Sequence, residues 1–261
     1  MTIFIHELKR NKNSFIVWTS VITAFILMII LIFPEMKKQM QEINDIFASL
    51  GSFTAAFGMD RLNLGKMIDY YSIEAGAIVS LGGSFYAALI AVSILSKEEK
   101  EHTADFLLTH PVSRTNILKQ KLLAVLALVV MLNVIVATLT FITIYLIEST
   151  VDWNLLILLN LSYLILQIEV AAICFGISAF LRRDGMGIGL GLAATFYFLN
   201  LVANITEKAK FLKYFTPFAY TEGADIINNG VIDMKHLALG IVITIVCITV
   251  GFIKYQKKDI L

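Results

Sequence analysis

The chain has 261 residues and a net charge of +1, with 58% of its residues hydrophobic and only 16% charged, against about 25% charged in an average soluble domain. Such a balance excludes an ordinary water-soluble domain, and the lack of a basic stripe with interleaved aromatics excludes a nucleic-acid-binding surface. Cys174 and Cys247 both fall in apolar runs, so neither a disulfide framework nor a thiolate metal site is read from them.

The opening residues, TIFIHELKRNK, set Phe4 and Leu8 one turn apart above a cluster of charges. They fit a short amphipathic helix in the headgroup region or a basic flank that orients the first span. Ser14 to Phe33 carries no charge. It is too long for the apolar core of a signal peptide and lacks a small-residue cleavage site, so it reads as a retained helix. Pro34 to Tyr71 follows as a long outer loop. Its stretch MKKQMQEINDIFASL has helical spacing, with Met36, Met40, Ile43, Phe47 and Leu50 on one side. Ile73 to Ser96 is apolar apart from Glu74, and Leu122 to Ile147 is charge-free. Leu155 to Leu181 is apolar apart from Glu169, and Arg182-Arg183 make a short turn before the charge-free run Gly185 to Ile205. The outer segment from Ile205 to His236 carries Pro217 and INNG as turn signals. Its aromatic FLKYFTPFAY suits the membrane interface or a re-entrant piece that dips back into the bilayer. A last apolar run starts at Leu237.

About 20 helical residues cross a hydrocarbon core about 30 Å thick. The expectation is an all-α membrane protein with six transmembrane helices, at about 14–33, 73–96, 122–147, 155–181, 185–205 and 237–255. All of 1–261 reads as a single transmembrane domain. Even spans place both termini on one side. That side would carry thirteen Lys and Arg, among them Lys9, Lys97, Arg114, Lys121 and Lys254, against eight on the other. The positive-inside rule then makes both termini cytoplasmic, in a multi-pass protein of the plasma membrane.

Nucleotide and metal chemistry find no footing. GMDRLNLGKM, from Gly58, has six residues between its glycines where a P-loop has four, and Met67 stands in place of the hydroxyl residue. GMGIGLG, from Gly185, fails the dinucleotide spacing and opens a membrane span; Gly185/Gly189 and Gly187/Gly191 are small-residue pairs that let helices approach closely. The four histidines, His6, His102, His110 and His236, lack ligand spacing. The pair Glu98-Glu99 lacks the further ligands that an intramembrane protease needs. No catalytic residue, metal site or cofactor is expected on this chain.

Glu169 stands near the middle of the fourth span. A central charge costs about 2.5–3.5 kcal/mol on insertion scales, while the sixteen Leu, Ile, Phe and Val residues of Leu155–Leu181 return about 5–10 kcal/mol. The helix therefore still inserts, and Glu169 must face other helices or a wet cavity. It is either a substrate or ion pathway residue, with Gln167, Asn133 and Asn200, or a hydrogen-bonded tie between helices. Glu74, Asn160 and Asn204 read as interface or interhelical polar residues.

The densest polar block is SKEEKEHTADFLLTHPVSR, Ser96 to Arg114. Lys97 to Leu108 can form a short helix, with Ala104, Leu107 and Leu108 on one face and Lys97 four residues before Glu101. The residue before Pro111 is biased away from helix, and Ser113 can cap the next one. The block resembles the signature loop of type-2 ATP-binding-cassette transporter permeases through Glu98, Glu99, Glu101, Thr103, Leu107, Leu108, Pro111, Ser113 and Arg114. His102 departs from the glycine usual before the threonine. TPFAYTEGADIINNG and the ending YQKKDIL are similar to the family's last outer segment and tail.

That resemblance implies the membrane subunit of a bacterial ABC exporter for a hydrophobic or amphipathic cargo such as a peptide, drug or lipid. It implies pairing in the bilayer with a second copy, as a homodimer, or with a paralogue. The block between spans two and three would be a cytoplasmic coupling helix docked on a separate cytosolic ATPase, which would hold the ATP and Mg²⁺. The competing expectation is a stand-alone secondary transporter or channel in which Glu169 carries a proton or cation; no inverted repeat or pair of broken helices supports it.

Overall fold

A computed structural model of the chain describes residues 2–39, 51–97, 113–148, 150–182 and 185–258. Among them there is no strand, and six helices are long and apolar enough to cross a membrane. Helix α1, Thr2–Arg10, precedes the first span, α2, Lys12–Lys38. A short helix α3, Ser52–Ala56, and a 3-10 turn, Met59–Arg61, lead to α4, Met67–Val92. Then come α5, Arg114–Ile147, α6, Trp153–Ser178, and α7, Met186–Ile205. Two 3-10 helices, Glu207–Phe215 and Pro217–Thr221, and a short α8, Gly223–Asn229, connect to the last span, α9, Met234–Gln256.

Local chemistry explains several of the starts. Ser113 Oγ accepts the Asn116 N–H at 3.3 Å and opens α5. Asp152 Oδ1 takes the N–H groups of Asn154 and Leu155 at 3.0 and 3.2 Å to open α6, and Asp233 takes that of Lys235 at 2.9 Å to open α9. Each cap satisfies a donor that the first helical turn leaves unpaired. The expected stop at Pro34 does not end α2. A proline deep in a helix forfeits one backbone bond, and beyond it the chain runs on to Lys38, where the Gln39 N–H closes on Met36 O. Phe33, buried one residue before, packs on Tyr70 with ring centroids 5.2 Å apart. The Met40–Leu50 part of the expected outer helix lies outside the described residues.

Helix α4 is not uniformly α. Tyr71–Ala75 and Ile78–Gly82 are π-helical turns, which widen the helix and leave carbonyls without their usual partner. The most buried spans are α4 and α6, and the least buried is α9. Helix α6 packs against α4 on one side and α9 on another, α2 against α5, α7 against α4, and α1 along α5. Small residues set the closest crossings. A methyl on Gly189 would meet Val92 Cγ1 at 2.9 Å and Ala88 O at 3.1 Å, so the Gly185/Gly189 pair faces α4. Gly187 and Gly191 face open space; of the two expected pairs, one packs. Helices α6 and α9 cross where a methyl on Gly176 would meet Cys247 O at 2.7 Å.

Candidate functional site

The resembling block falls mostly outside what the structure describes: Glu98, Glu99, Glu101, Thr103, Leu107, Leu108 and Pro111 lie outside the described residues. Its two roots are on view. At the exit of α4, Leu95 N–H donates to Ser178 Oγ of α6 at 2.9 Å. Lys121 Nζ of α5 donates to Ile94 O at 2.8 Å and to Glu7 Oε1 of α1 at 2.7 Å. The Glu7 and Lys121 side chains are each 1% exposed. At the entry of α5, Arg114 Nη1 donates to Gln256 O at 3.1 Å and Lys258 O at 2.7 Å. Gln256 Nε2 donates to Thr115 Oγ1 at 3.0 Å, and Lys258 Nζ to Leu181 O at 2.6 Å. Both roots of the polar block are thus tied to α1, α6 and the tail beyond α9.

The four interior residues do not converge. Asn133 and Gln167 meet: Asn133 Nδ2 donates to Gln167 Oε1 at 2.7 Å, and Gln167 Nε2 donates to Val79 O at 3.0 Å. Val79 lies in the second π turn of α4, so Gln167 takes a carbonyl of the widened turn. Glu169, two residues on, points to another face of α6. It accepts from Tyr220 Oη at 2.8 Å and lies against Gly240 of α9, where a side chain would overlap its carboxylate. A cavity of about 230 Å³ opens beside it, bordered by Lys213, Thr216 and His236. Burial, and then the carboxylate it donates to, push the Tyr220 phenol well above its ordinary value of 10.0. Asn200 of α7 belongs to a third group. Its Nδ2 and that of Asn204 donate to Glu222 Oε2 at 3.3 and 2.7 Å.

The acid at the centre of that third group is one the sequence did not single out. Glu222 follows the second 3-10 helix and has a side chain 9% exposed. Arg61 Nη2 approaches its Oε1 at 3.7 Å, and Arg61 also pairs with Asp225, which Lys213 reaches at 3.4 Å. Glu222 sits in TEGADIINNG, a run whose turn residues hide it, and the only hint was a lone acid behind buried aromatics. Tyr71, which donates to Asn160 Oδ1 at 3.1 Å, and Tyr220 were likewise missed, because an aromatic in an apolar run gives no sign of which hydroxyl faces a partner. Among the described residues no group of three His, Cys, Asp or Glu is placed to hold a metal ion.

The arrangement thus consists of polar ties inside an apolar bundle and a stitched base under a polar segment. A comparison with curated proteins gave no significant match. The family model described as ABC-2 family transporter protein matches residues 1–260, all but the last residue. With that match and its six apolar helices, the chain belongs to the ABC-2 family of transporter proteins, as a multi-pass membrane permease.

Proposed function

We propose that this permease is the membrane half of an ATP-driven exporter, moving a hydrophobic or amphipathic cargo such as a peptide, drug or lipid with energy from a separate cytosolic ATPase. The observation that carries the reading is the pair of roots of the Ser96–Arg114 block. A segment meant to transmit force needs anchored ends, and here Ile94 and Leu95 at one end are bonded to Lys121 of α5 and Ser178 of α6, and Arg114 at the other to the tail of α9. Glu98, Glu99, Glu101, Thr103, Leu107, Leu108 and Pro111 then form the ATPase-docking helix, with Ser113 and Arg114 at its exit. Both termini lie on the ATPase side in a plasma-membrane protein of bacterial type, the chain forms one transmembrane domain, and a second copy or a paralogue completes the pathway. ATP and Mg²⁺ stay on the partner. The buried Pro217–Thr221 turn, with Phe218 and Tyr220 each 2% exposed, forms the base of a re-entrant outer segment.

Reversing Glu98 and Glu99 to Arg tests this. ATP hydrolysis by the co-purified ATPase should lose its stimulation by the permease while the permease itself remains folded and membrane-inserted. Unchanged stimulation removes the docking role.

A second reading keeps one specific observation: Glu169 is a buried carboxylate beside a cavity of about 230 Å³. In a stand-alone proton- or cation-coupled carrier, Glu169→Gln abolishes transport. In the permease reading the substituted amide still accepts from Tyr220, and transport into reconstituted vesicles persists.

A further inference from the structure

At the end of the bundle that carries the 3-10 turns, α3, α4, α6, α7 and the Glu222 turn line an open-sided cavity of about 60 Å³. Among the described residues, two buried polar atoms of its lining have no protein partner, Tyr163 Oη and Asn200 Oδ1. Tyr163 is 1% exposed and Asn200 6%. Leaving such groups unpaired costs about 1–3 kcal/mol each, so an empty cavity is a poor resting state.

The lining decides what fits. The hydroxyls of Ser72, Ser80 and Thr221 each donate to a nearby carbonyl, those of Asp69, Ala77 and Phe218, at 2.8, 3.3 and 2.9 Å. Their oxygens are left only to accept. The Asn200 amide has its NH₂ turned to Glu222, which leaves its oxygen an acceptor as well. Of these five side chains only Tyr163 and Asn200 keep a proton to give, while all five present an accepting oxygen. Such a lining suits a small cation, which needs oxygens alone, and the charge around it favours one.

The charges agree. Among the described residues, the linked side chains Asp60, Glu222 and Asp225 face only Arg61 and Lys213 in their network, which is therefore one positive charge short. The rings of Tyr197 and Phe218, which meet edge-on with centroids 5.5 Å apart, form part of the wall and suit a cationic group further. By the measure on which one water takes about 10–15 Å³, the volume has room for a small ion with a few waters, or for a primary ammonium with its first carbons.

We propose that this cavity binds a monovalent cationic group, held by Tyr163 Oη, Asn200 Oδ1 and the carboxylate of Glu222. The group is either a free alkali cation or the primary ammonium of a cargo molecule. The second alternative rests on the export reading; the site itself does not.

The test uses the full chain in lipid nanodiscs and measures its melting temperature at constant ionic strength. N-methylglucamine chloride, too bulky for the cavity, is replaced stepwise by sodium, potassium or methylammonium chloride. A saturable rise with at least one of the three small cations is expected. Tyr163→Phe and Asn200→Ala should each weaken the apparent affinity about tenfold. Saturation by sodium or potassium but not methylammonium identifies a free ion; saturation by methylammonium identifies the ammonium of a cargo. No saturable response from the unmodified protein overturns the site, and so does a response that both variants leave unchanged. Should either variant fail to fold, Ser80→Ala, which removes one accepting oxygen and little volume, takes its place. None of these outcomes depends on the ATPase, so failure here leaves the Glu98/Glu99 experiment to judge the export reading alone.

Discussion

Breaking the Glu7–Lys121 pair should cost far more alone than its double replacement. The two side chains meet at 2.7 Å with 1% exposure each, Lys121 also holds Ile94 O, and Glu7 Oε2 has no protein partner among the described residues. Lys121→Met strands a carboxylate without its cation, and Glu7→Leu leaves a buried ammonium without its carboxylate. Removing one member of a buried pair costs about 3–5 kcal/mol, whereas replacing both with apolar groups of similar volume is often neutral. The double variant still orphans the Ile94 carbonyl, at about 1 kcal/mol. For a chain of this size about 1 kcal/mol corresponds to about 2–4 °C. Each single variant should therefore melt about 10 °C lower, and Glu7→Leu/Lys121→Met only about 3 °C lower. Thermal unfolding of the detergent-purified protein, followed by tryptophan fluorescence, measures all four corners of the cycle. If the double variant loses the sum of the single losses, the pair is not coupled and does not join α1 to the root of the polar block.

Two further perturbations probe other parts of the bundle. Gly83→Ala would drive a methyl into the Gln167 amide and break its bonds to Val79 and Asn133; a loss of about 2–4 kcal/mol is expected. Gly187→Ala, facing open space, is the control and should melt within about 2 °C of the parent. At the opposite end, the hydrogen bond from Lys37 at 2.9 Å holds the Glu148 carboxyl below its ordinary value of 4.5. A lowered folded-state value means a contribution present above pH 4.5 and lost as the pH falls through the lower, folded value. Both side chains are partly exposed, so the pair is worth under about 1 kcal/mol. The small melting difference between the parent and Glu148→Gln at neutral pH should shrink as the pH falls below 4.5 and vanish once the folded carboxyl is protonated.

The spans were legible because one large term dominates: a run of about twenty apolar residues inserts whatever its neighbours do. Even Glu169 could be tolerated on that ground. What periodicity does not carry is the identity of the neighbour. It marks Gln167 and Glu169 as polar, but not that one reaches a π-turn carbonyl of α4 and the other a tyrosine of the Pro217–Thr221 turn. Lys121 shows the limit most sharply. By position it counts as one more basic flank, yet it is fully buried. The only trace was a lone acid, Glu7, in an otherwise basic opening segment. The ends also drifted: α5 starts eight residues before the charge-free run, since Ser113 caps it and Arg114 and Lys121 have protein partners instead of water.

The two widened turns of α4 have a consequence for gears and levers. Each holds one residue more per turn than its α-helical neighbours, and together they lie within twelve residues, Tyr71 to Gly82. Closing one to an ordinary turn, with the Met67 end held, swings everything beyond it by about 100° and slides it by about 1.5 Å. What lies beyond is Ile94, and after it the segment that the ATPase is proposed to grip. A helix with such turns behaves as a screw with slack in its thread: torque at one end is taken up by a shift of register, and a carbonyl freed in the turn, such as Val79 O, is met by a side chain of the neighbouring helix.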